Sequence, residues 1–185
     1  MRACPGPLVF ASYDSPLGLV YAAMEGPALL AVSFSTGPAA FEEKLSHGFG
    51  PSLRLRQSRA PFTAFFRDLD TYFKGHAVEF CLPVKLFGTT FQISVWKALA
   101  RIPRGEVRSY AFIAEKVGSP RAFRAVAGAC GQNMLPIVIP CHRVIRSDGS
   151  PGGWSGGGVG VKEGLLALEG VRGYKGKRGK RGKNP

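Results

Sequence analysis

Four residues in mid-chain, Val117-Gly118-Ser119-Pro120, constrain the architecture more than any other stretch. Glycine at 118 can adopt the left-handed conformation that ends a helix. Serine at 119 is a good cap for a following helix, and proline at 120 suits its first position. A short helix over "SYAFIAEKVG", with Ser109 as N-cap, therefore runs straight into a second over "SPRAFRAVAGACGQN". Two helices joined by so tight a Gly-containing turn resemble a helix-turn-helix. In the second helix Ala122, Ala125, Ala127, Gly128, Ala129 and Gly131 are all small, and Arg121 and Arg124 are the only charges. A surface this smooth either packs on another helix or lets the helix sit close to a nucleic-acid backbone. Before Gln132 and Asn133 it offers no amide side chain for bidentate pairing with adenine. DNA bound there would be read by something other than base order.

Downstream, "LPIVIP" reads as a strand bounded by prolines, followed at once by Cys141, His142 and Arg143. A cysteine at such a place is either a small core hydrophobe or a nucleophile. On an extended chain neighbouring side chains point to opposite faces, so a direct thiol–imidazole bond needs a turn after Pro140 or a bridging water. Residues 146–160 then hold seven glycines and one large aromatic, Trp154. A phosphate loop would need GK[ST], which is missing. The stretch reads instead as a mobile flap over a pocket, its glycines letting the backbone approach a flat ligand. "VKEGLLALEG" closes the chain's last helix at Gly170, with Glu169 in the final turn, where the helix dipole disfavours an anion. A broken local rule of this kind marks a candidate functional residue.

Nothing in the first 85 or so residues carries obvious chemistry. Two strands flank a turn at residues 14–18, a third covers "ALLAVSFS", and helices over 38–48 and 60–75 close at Gly48 and Gly75. Phe62, Phe65, Phe66, Leu69 and Phe73 fall at helical spacing and form a core stripe. The expected fold is α+β: a small sheet-plus-helix domain over 1–87, a mainly helical DNA-binding domain over 88–171 containing the reactive cysteine, and a basic, disordered tail over 172–185.

Charge and cysteine usage narrow the function classes. Net charge is +13, and the segment after Gly170 carries seven Lys/Arg and no acid. A basic body with a basic, Gly-rich tail suits a polyanion. Cys4, Cys81, Cys130 and Cys141 form no CxxC pair and the histidines at 47, 76 and 142 are scattered, so no metal site is expected. Free thiols and the lack of an export signal point to a reducing compartment. No apolar run is long enough to span a membrane.

Together, "SYAFIAEKVGSPRAFRAVAGACGQN", "IPCHRVI", "GGWSGG" and "KEGLLALEG" resemble the O6-alkylguanine-DNA alkyltransferases, also called methylated-DNA–protein-cysteine methyltransferases. The resemblance is strong over about 88–170 and weak before it. It implies direct reversal of DNA damage, with the alkyl group of a flipped-out O6-alkylguanine moving irreversibly to Cys141, once per molecule. In that scheme His142 acts through water as the base, Glu169 orients it, Asn133 holds the active-site turn and Tyr110 donates to the guanine ring. The Val144 carbonyl, Trp154 and Ser155 would line the base pocket. Arg124 would enter the stack where the base leaves, with Arg121, Ser109, Ala125 and Gly128 on the DNA-binding face. The implied partner is double-stranded DNA containing O6-alkylguanine, bound by a monomer with no cofactor and no membrane. Met134, where the family usually has proline, and the small Gly164 depart from the pattern. A related group with Trp in place of the cysteine binds alkylated DNA without transfer, so a non-catalytic sensor is one alternative. A cysteine hydrolase with oxyanion donors from the Gly-rich loop is another.

Overall fold

The computed structural model describes residues 6–172. Strands β1 (Leu8–Ser15) and β2 (Gly18–Glu25) are antiparallel and joined by a tight turn, with Gly18 at φ 115°. β3 (Ala28–Phe34) pairs with β2, and a short β4 (Leu55–Gln57) lies parallel to β1, giving the order β3-β2-β1-β4. Sequence reading did not find β4, a three-residue strand embedded in "LRLRQSR". The period-two alternation sorts side chains to two faces. Leu8, Phe10, Tyr21, Ala23, Leu30 and Ala31 pack on helix α1 (Pro38–Phe49) through Phe41, Leu45 and Phe49. On the other face Ala11, Tyr13, Val20, Ala22 and Val32 join a larger cluster with helix α2 (Thr63–Phe73).

That larger cluster crosses into the second half of the chain through Val95, Leu99, Ile113, Val126 and Leu165. Helix α3 (Thr90–Leu99) starts in a capping box between Thr89 and Gln92. Gly88 leaves space for Trp96, whose ring atoms lie 2.7 Å from where a Cβ would sit. Helices α4 (Tyr110–Lys116) and α5 (Phe123–Gly131) form the expected pair. Two-residue strands β5 (Arg108–Ser109) and β6 (Val144–Ile145) run parallel and tie α4 to the reactive stretch, and α6 (Val159–Leu168) closes the domain. The outer edge of β3 is covered: Leu29 exchanges hydrogen bonds with Pro83 and Lys85, Val32 donates to Met134 O and Phe34 to Gly156 O. An edge strand thus becomes the contact between the two halves.

Three local expectations are corrected. Helix α1 does not close at Gly48 but runs on to Gly50, whose φ of 103° and bond to Ser46 O end it. Ser119 does not cap α5. Its N–H bonds Ala114 O while that of Gly118 bonds Glu115 O, a Schellman pair that ends α4. Pro120 and Arg121 then form a turn closed by Ala122 N–H on Ser119 O, so α5 begins only at Phe123. Finally, residues 135–140 are no strand. They form a buried turn in which Ile139 N–H bonds Leu135 O and Ile137 takes a φ of 74°. An apolar run looks the same in a buried turn as in a buried strand.

Candidate active site

The turn over 133–140 exists because one side chain supplies its missing bonds. Asn133 Nδ2 donates to Ile139 O at 2.9 Å, and its Oδ1 accepts from Leu135 N at 2.9 Å. A buried loop must satisfy its backbone groups somewhere, and here a buried amide does so. The chain leaves this turn at Pro140 into a single 3₁₀ turn, Cys141–Arg143, which removes the opposite-faces problem of an extended segment.

Cys141 is buried, and its Sγ accepts the Trp154 indole N–H at 3.2 Å. Burial pushes the thiol up, while Asn133, Trp154 and the Lys162 ammonium pull in the other direction. The resting group is a thiol that needs a base. His142 beside it is fully buried. Its Nε2 lies 2.9 Å from Glu169 Oε1, so that nitrogen carries the proton and Nδ1 keeps its lone pair. Among the described residues no protein group hydrogen-bonds Nδ1.

Glu169 stands at the C-cap of α6, and its buried carboxylate gathers four donors. Besides His142, Arg143 Nη2 reaches Oε1 at 2.8 Å, Arg143 Nε reaches Oε2 at 2.8 Å and Tyr72 Oη donates to Oε1 at 2.7 Å. Burial alone would raise this carboxyl, but the donors from His142 and Arg143 outweigh it and hold the group well below the carboxylate range. Burial likewise lowers His142, and the opposing pull of Glu169 does not overcome it. The imidazole therefore rests neutral, and Arg143 supplies the positive charge that keeps Glu169 ionised. Arg143 also bonds Ile102 O at 2.6 Å.

Lys162 and Tyr72 were not singled out in the sequence. Lys162 is fully buried in α6, and its ammonium binds the carbonyls of Val144, at 2.6 Å, and Pro151. Burial brings it down to about 8, against the pull of Cys141 and Cys130. A lysine in a "VKEG" helix reads as a solvated face, and nothing local marks it as buried. Tyr72 lies within the expected aromatic stripe of α2, where its hydroxyl gives no signal.

A cleft of about 590 Å³ is lined by Tyr110, Phe123, Arg124, Ala127, Arg146, Gly152 and Gly153 among others; Cys141 and His142 do not line it, and Tyr110, which feels the charge of Cys141, is its link to the reactive turn. Burial pushes the Tyr110 phenol up to about 12, so it keeps its proton as a donor. Val144, Trp154 and Ser155 do not line this cleft. The Val144 carbonyl is taken by Lys162, and Ser155 Oγ donates to Gly131 O at 2.9 Å. The glycines of the 146–160 loop serve a packing role: a Cβ at Gly156 would meet the Trp154 indole at 2.6 Å, and one at Gly157 would meet Phe34 at 2.7 Å. Gly164 is similarly occupied, its Cβ position lying 2.6 Å from Leu17. Met134 packs against the α1 cluster and hands its carbonyl to Val32.

Helix α5 buries Val126, Ala129 and Cys130 and exposes Arg124, Ala125, Ala127 and Gly128, while Arg121 is exposed in the preceding turn. Ser109 is committed as the N-cap of α4, accepting from Phe112 N at 3.1 Å. Among the described residues there is no group of three or more His, Cys, Asp or Glu able to hold a metal ion, and no helix is long and apolar enough to cross a membrane.

Two family models match the chain. One, described as "6-O-methylguanine DNA methyltransferase, ribonuclease-like domain", covers residues 8–86, and "6-O-methylguanine DNA methyltransferase, DNA binding domain" covers 90–171. A methylated-DNA–protein-cysteine methyltransferase of Methanosarcina barkeri is 52% identical over 103 residues, 56% of this chain and 65% of that protein. A constitutive methylated-DNA–protein-cysteine methyltransferase of Bacillus subtilis is 49% identical over 105 residues, 57% of this chain and 64% of its own length. The aligned stretch thus spans just under two thirds of these relatives. Among solved structures, the O6-methylguanine methyltransferase of Mycobacterium tuberculosis superposes with a TM-score of 0.75 at 37% identity, covering 88% of this chain and 92% of that one. A structure from the same organism in complex with DNA gives 0.72 at 36%, covering 87% and 92%.

Proposed function

The chain belongs to the 6-O-methylguanine DNA methyltransferase family, and from that premise we propose that it repairs DNA by taking the alkyl group of O6-alkylguanine onto its own Cys141. The observation that carries this reading is the pairing of Cys141 with a neutral, Glu169-bound imidazole on one 3₁₀ turn, next to a cleft walled by the helix-turn-helix. That cleft is the proposed seat of a base swung out of a duplex, an excursion costing a few kcal/mol and less for a damaged pair.

The chemistry is a single displacement. The Sγ proton passes through a water to His142 Nδ1, and the thiolate attacks the alkyl carbon. The C–O6 bond breaks, its electron pair stays on O6, and guanine leaves after taking up a proton, with Tyr110 donating a hydrogen bond to the ring. The Lys162 ammonium, which draws on Cys141 electrostatically, favours the thiolate. A thioether has no easy return path, so each molecule reacts once. No step calls for a cofactor.

Double-stranded DNA carrying the lesion is the proposed partner, bound by a monomer, in the cytoplasm or, in a eukaryote, the nucleus. A Cβ at Gly128 would meet open space. The fold therefore does not demand that glycine, and a closely approaching partner would. The domain limits 1–87 and 88–171 are proposed on the same footing.

Intact-mass measurement after incubation with an O6-methylguanine duplex tests the reading. One CH₂ per chain is expected, on the peptide containing "IPCHR", with none for Cys141→Ser. A DNA-bound protein that gains no mass would be a sensor, and steady turnover on a generic ester would make it a hydrolase. Either result would overturn the proposal.

A further inference from the structure

The carboxylate that holds the base in place is shared between the two halves of the molecule. Tyr72 sits on α2, 97 residues before Glu169, and is 2% exposed. Its hydroxyl donates to Glu169 Oε1, the same oxygen that receives His142 Nε2 and Arg143 Nη2, while Oε2 receives Arg143 Nε. A carboxylate offers about four lone-pair sites, two on each oxygen, but the four donors here are unevenly shared between the oxygens. Three crowd onto one oxygen, so the phenol competes with the imidazole for Oε1.

The phenol is itself held in place. The Arg104 guanidinium lies 5.3 Å over its ring and bonds the carbonyls of Gly75, at 3.0 Å, and Leu168, at 2.7 Å. Arg104 thereby pins the end of α2 against the end of α6. Burial, with Glu169 next, raises the Tyr72 phenol far above its usual range, so it stays a donor at every working pH. Tyr72 also lines a second cleft of about 440 Å³ together with Arg104 and Arg143, which shares no lining residue with the first.

We propose that Tyr72 is a positioning residue of the N-terminal domain that sets the basicity of His142 by drawing charge from Glu169 Oε1. The proposal deepens the alkyl-transfer reading and rests on it for its kinetic consequence. By engaging Oε1, the hydroxyl weakens the pull of the carboxylate on the Nε2 proton. The imidazolium is then less favoured, and the base stays neutral and ready. The other charged or titratable groups acting on His142 and its partners are Cys141 and Arg143 on its own turn, Lys162 and Glu169 on and just after α6, and Arg104 behind Tyr72, while Lys44 of α1, Tyr110 and Cys130 act in turn on Cys141. Of the groups bonded to Glu169 among the described residues, Tyr72 alone comes from the N-terminal domain.

Two replacements at one atom test this with opposite signs. Tyr72→Phe removes the donor, so Glu169 holds the imidazolium more strongly. Replacing Tyr72 with 3-fluorotyrosine makes the phenol more acidic and the donated bond stronger. The His142 titration, followed by NMR of ring-labelled full-length protein, is expected to move up by about half a pH unit or more in the first and down in the second. The acid limb of the rate with free O6-benzylguanine, which needs no DNA, is expected to follow. Midpoints unmoved in both, or moved in the same direction, would overturn the proposal, and a uniform loss of rate without a shift would mark a merely structural tyrosine. Should Tyr72→Phe fail to fold, the fluorinated protein decides alone. If no variant and not the parent itself transfers an alkyl group, the alkyl-transfer reading fails, while the His142 titration still decides the role of Tyr72.

Discussion

At the scale of single residues, the site consists of groups whose surroundings contradict their type. Glu169 is an anion at a helix C-terminus, His142 a neutral base without exposure and Lys162 a cation in the core. Glu169 gives the sharpest test because its linkage to stability has a definite sign. Its folded-state affinity for a proton lies below that of the unfolded chain, whose glutamates titrate at about 4.3. Its contribution is therefore complete above that value and is lost as the pH falls toward the folded value. Glu169→Gln is expected to destabilise the protein at pH 7 by about 3 kcal/mol or more, because Arg143 loses its buried counter-charge. The loss of stability between about pH 4.5 and 2 should also become shallower than in the parent. Urea unfolding at several pH values reads both, and identical acid slopes would contradict the assignment. The anomaly of Glu169 was visible in the sequence, because an acid just before Gly170 breaks a rule that can be checked locally. Lys162 and Tyr72 were not visible, because their partners lie 18 and 97 residues away and only the fold brings them together.

At the scale of elements, hydrophobic period and helix punctuation were legible, but the use made of each punctuating residue was not. The β1–β2 hairpin, the Phe stripe of α2 and the pair α4–α5 follow from pattern alone. Ser119 was misjudged because a good N-cap also serves as the last residue of a Schellman motif, and the preceding glycine took it for that purpose. The apolar run 135–140 was misjudged because its bonds come from the side chain of Asn133, outside the run itself. The same view of α5 yields a prediction. A Cβ at Gly128 meets nothing, and the position is mid-helix and exposed. Gly128→Ala should therefore stabilise the fold by about 0.5–1 kcal/mol, the cost of glycine in a helix interior. Gly128→Leu should fold equally well and react normally with free O6-benzylguanine, yet repair duplex DNA at least about tenfold more slowly, because the added side chain holds the helix off the groove. Thermal unfolding and single-turnover repair measure the two halves of this statement. A Leu variant that repairs duplex at the parent rate would mean that α5 is not the approaching face.

At the scale of the whole molecule, the β3 edge, Arg104 and Tyr72 join the two halves around the reactive turn, and the net charge of +13 surrounds them. Charge of this size acts at long range, and in duplex binding it appears as counterion release. The expected basic tail falls almost wholly on residues 173–185, outside the described part of the chain, so its role is argued from sequence and salt dependence. Seven Lys/Arg follow Gly170. Each phosphate contact adds about −0.9 to the slope of log K against log salt, so seven contacts would steepen it by about six. Removing residues 172–185 should therefore weaken binding to lesion-containing and undamaged duplexes by the same factor and flatten the slope by at least about two. The rate with free O6-benzylguanine should not change, since no polyanion is involved. Arg124→Ala should behave differently: its effect should concentrate on duplex repair and leave most of the slope in place, because a side chain entering the base stack releases at most about one counterion. Titrations at four or five salt concentrations separate these outcomes. An unchanged slope in the truncated protein would place the electrostatic contact on the folded body, where the charge that remains is still +6 once the seven basic residues of the tail are subtracted from +13.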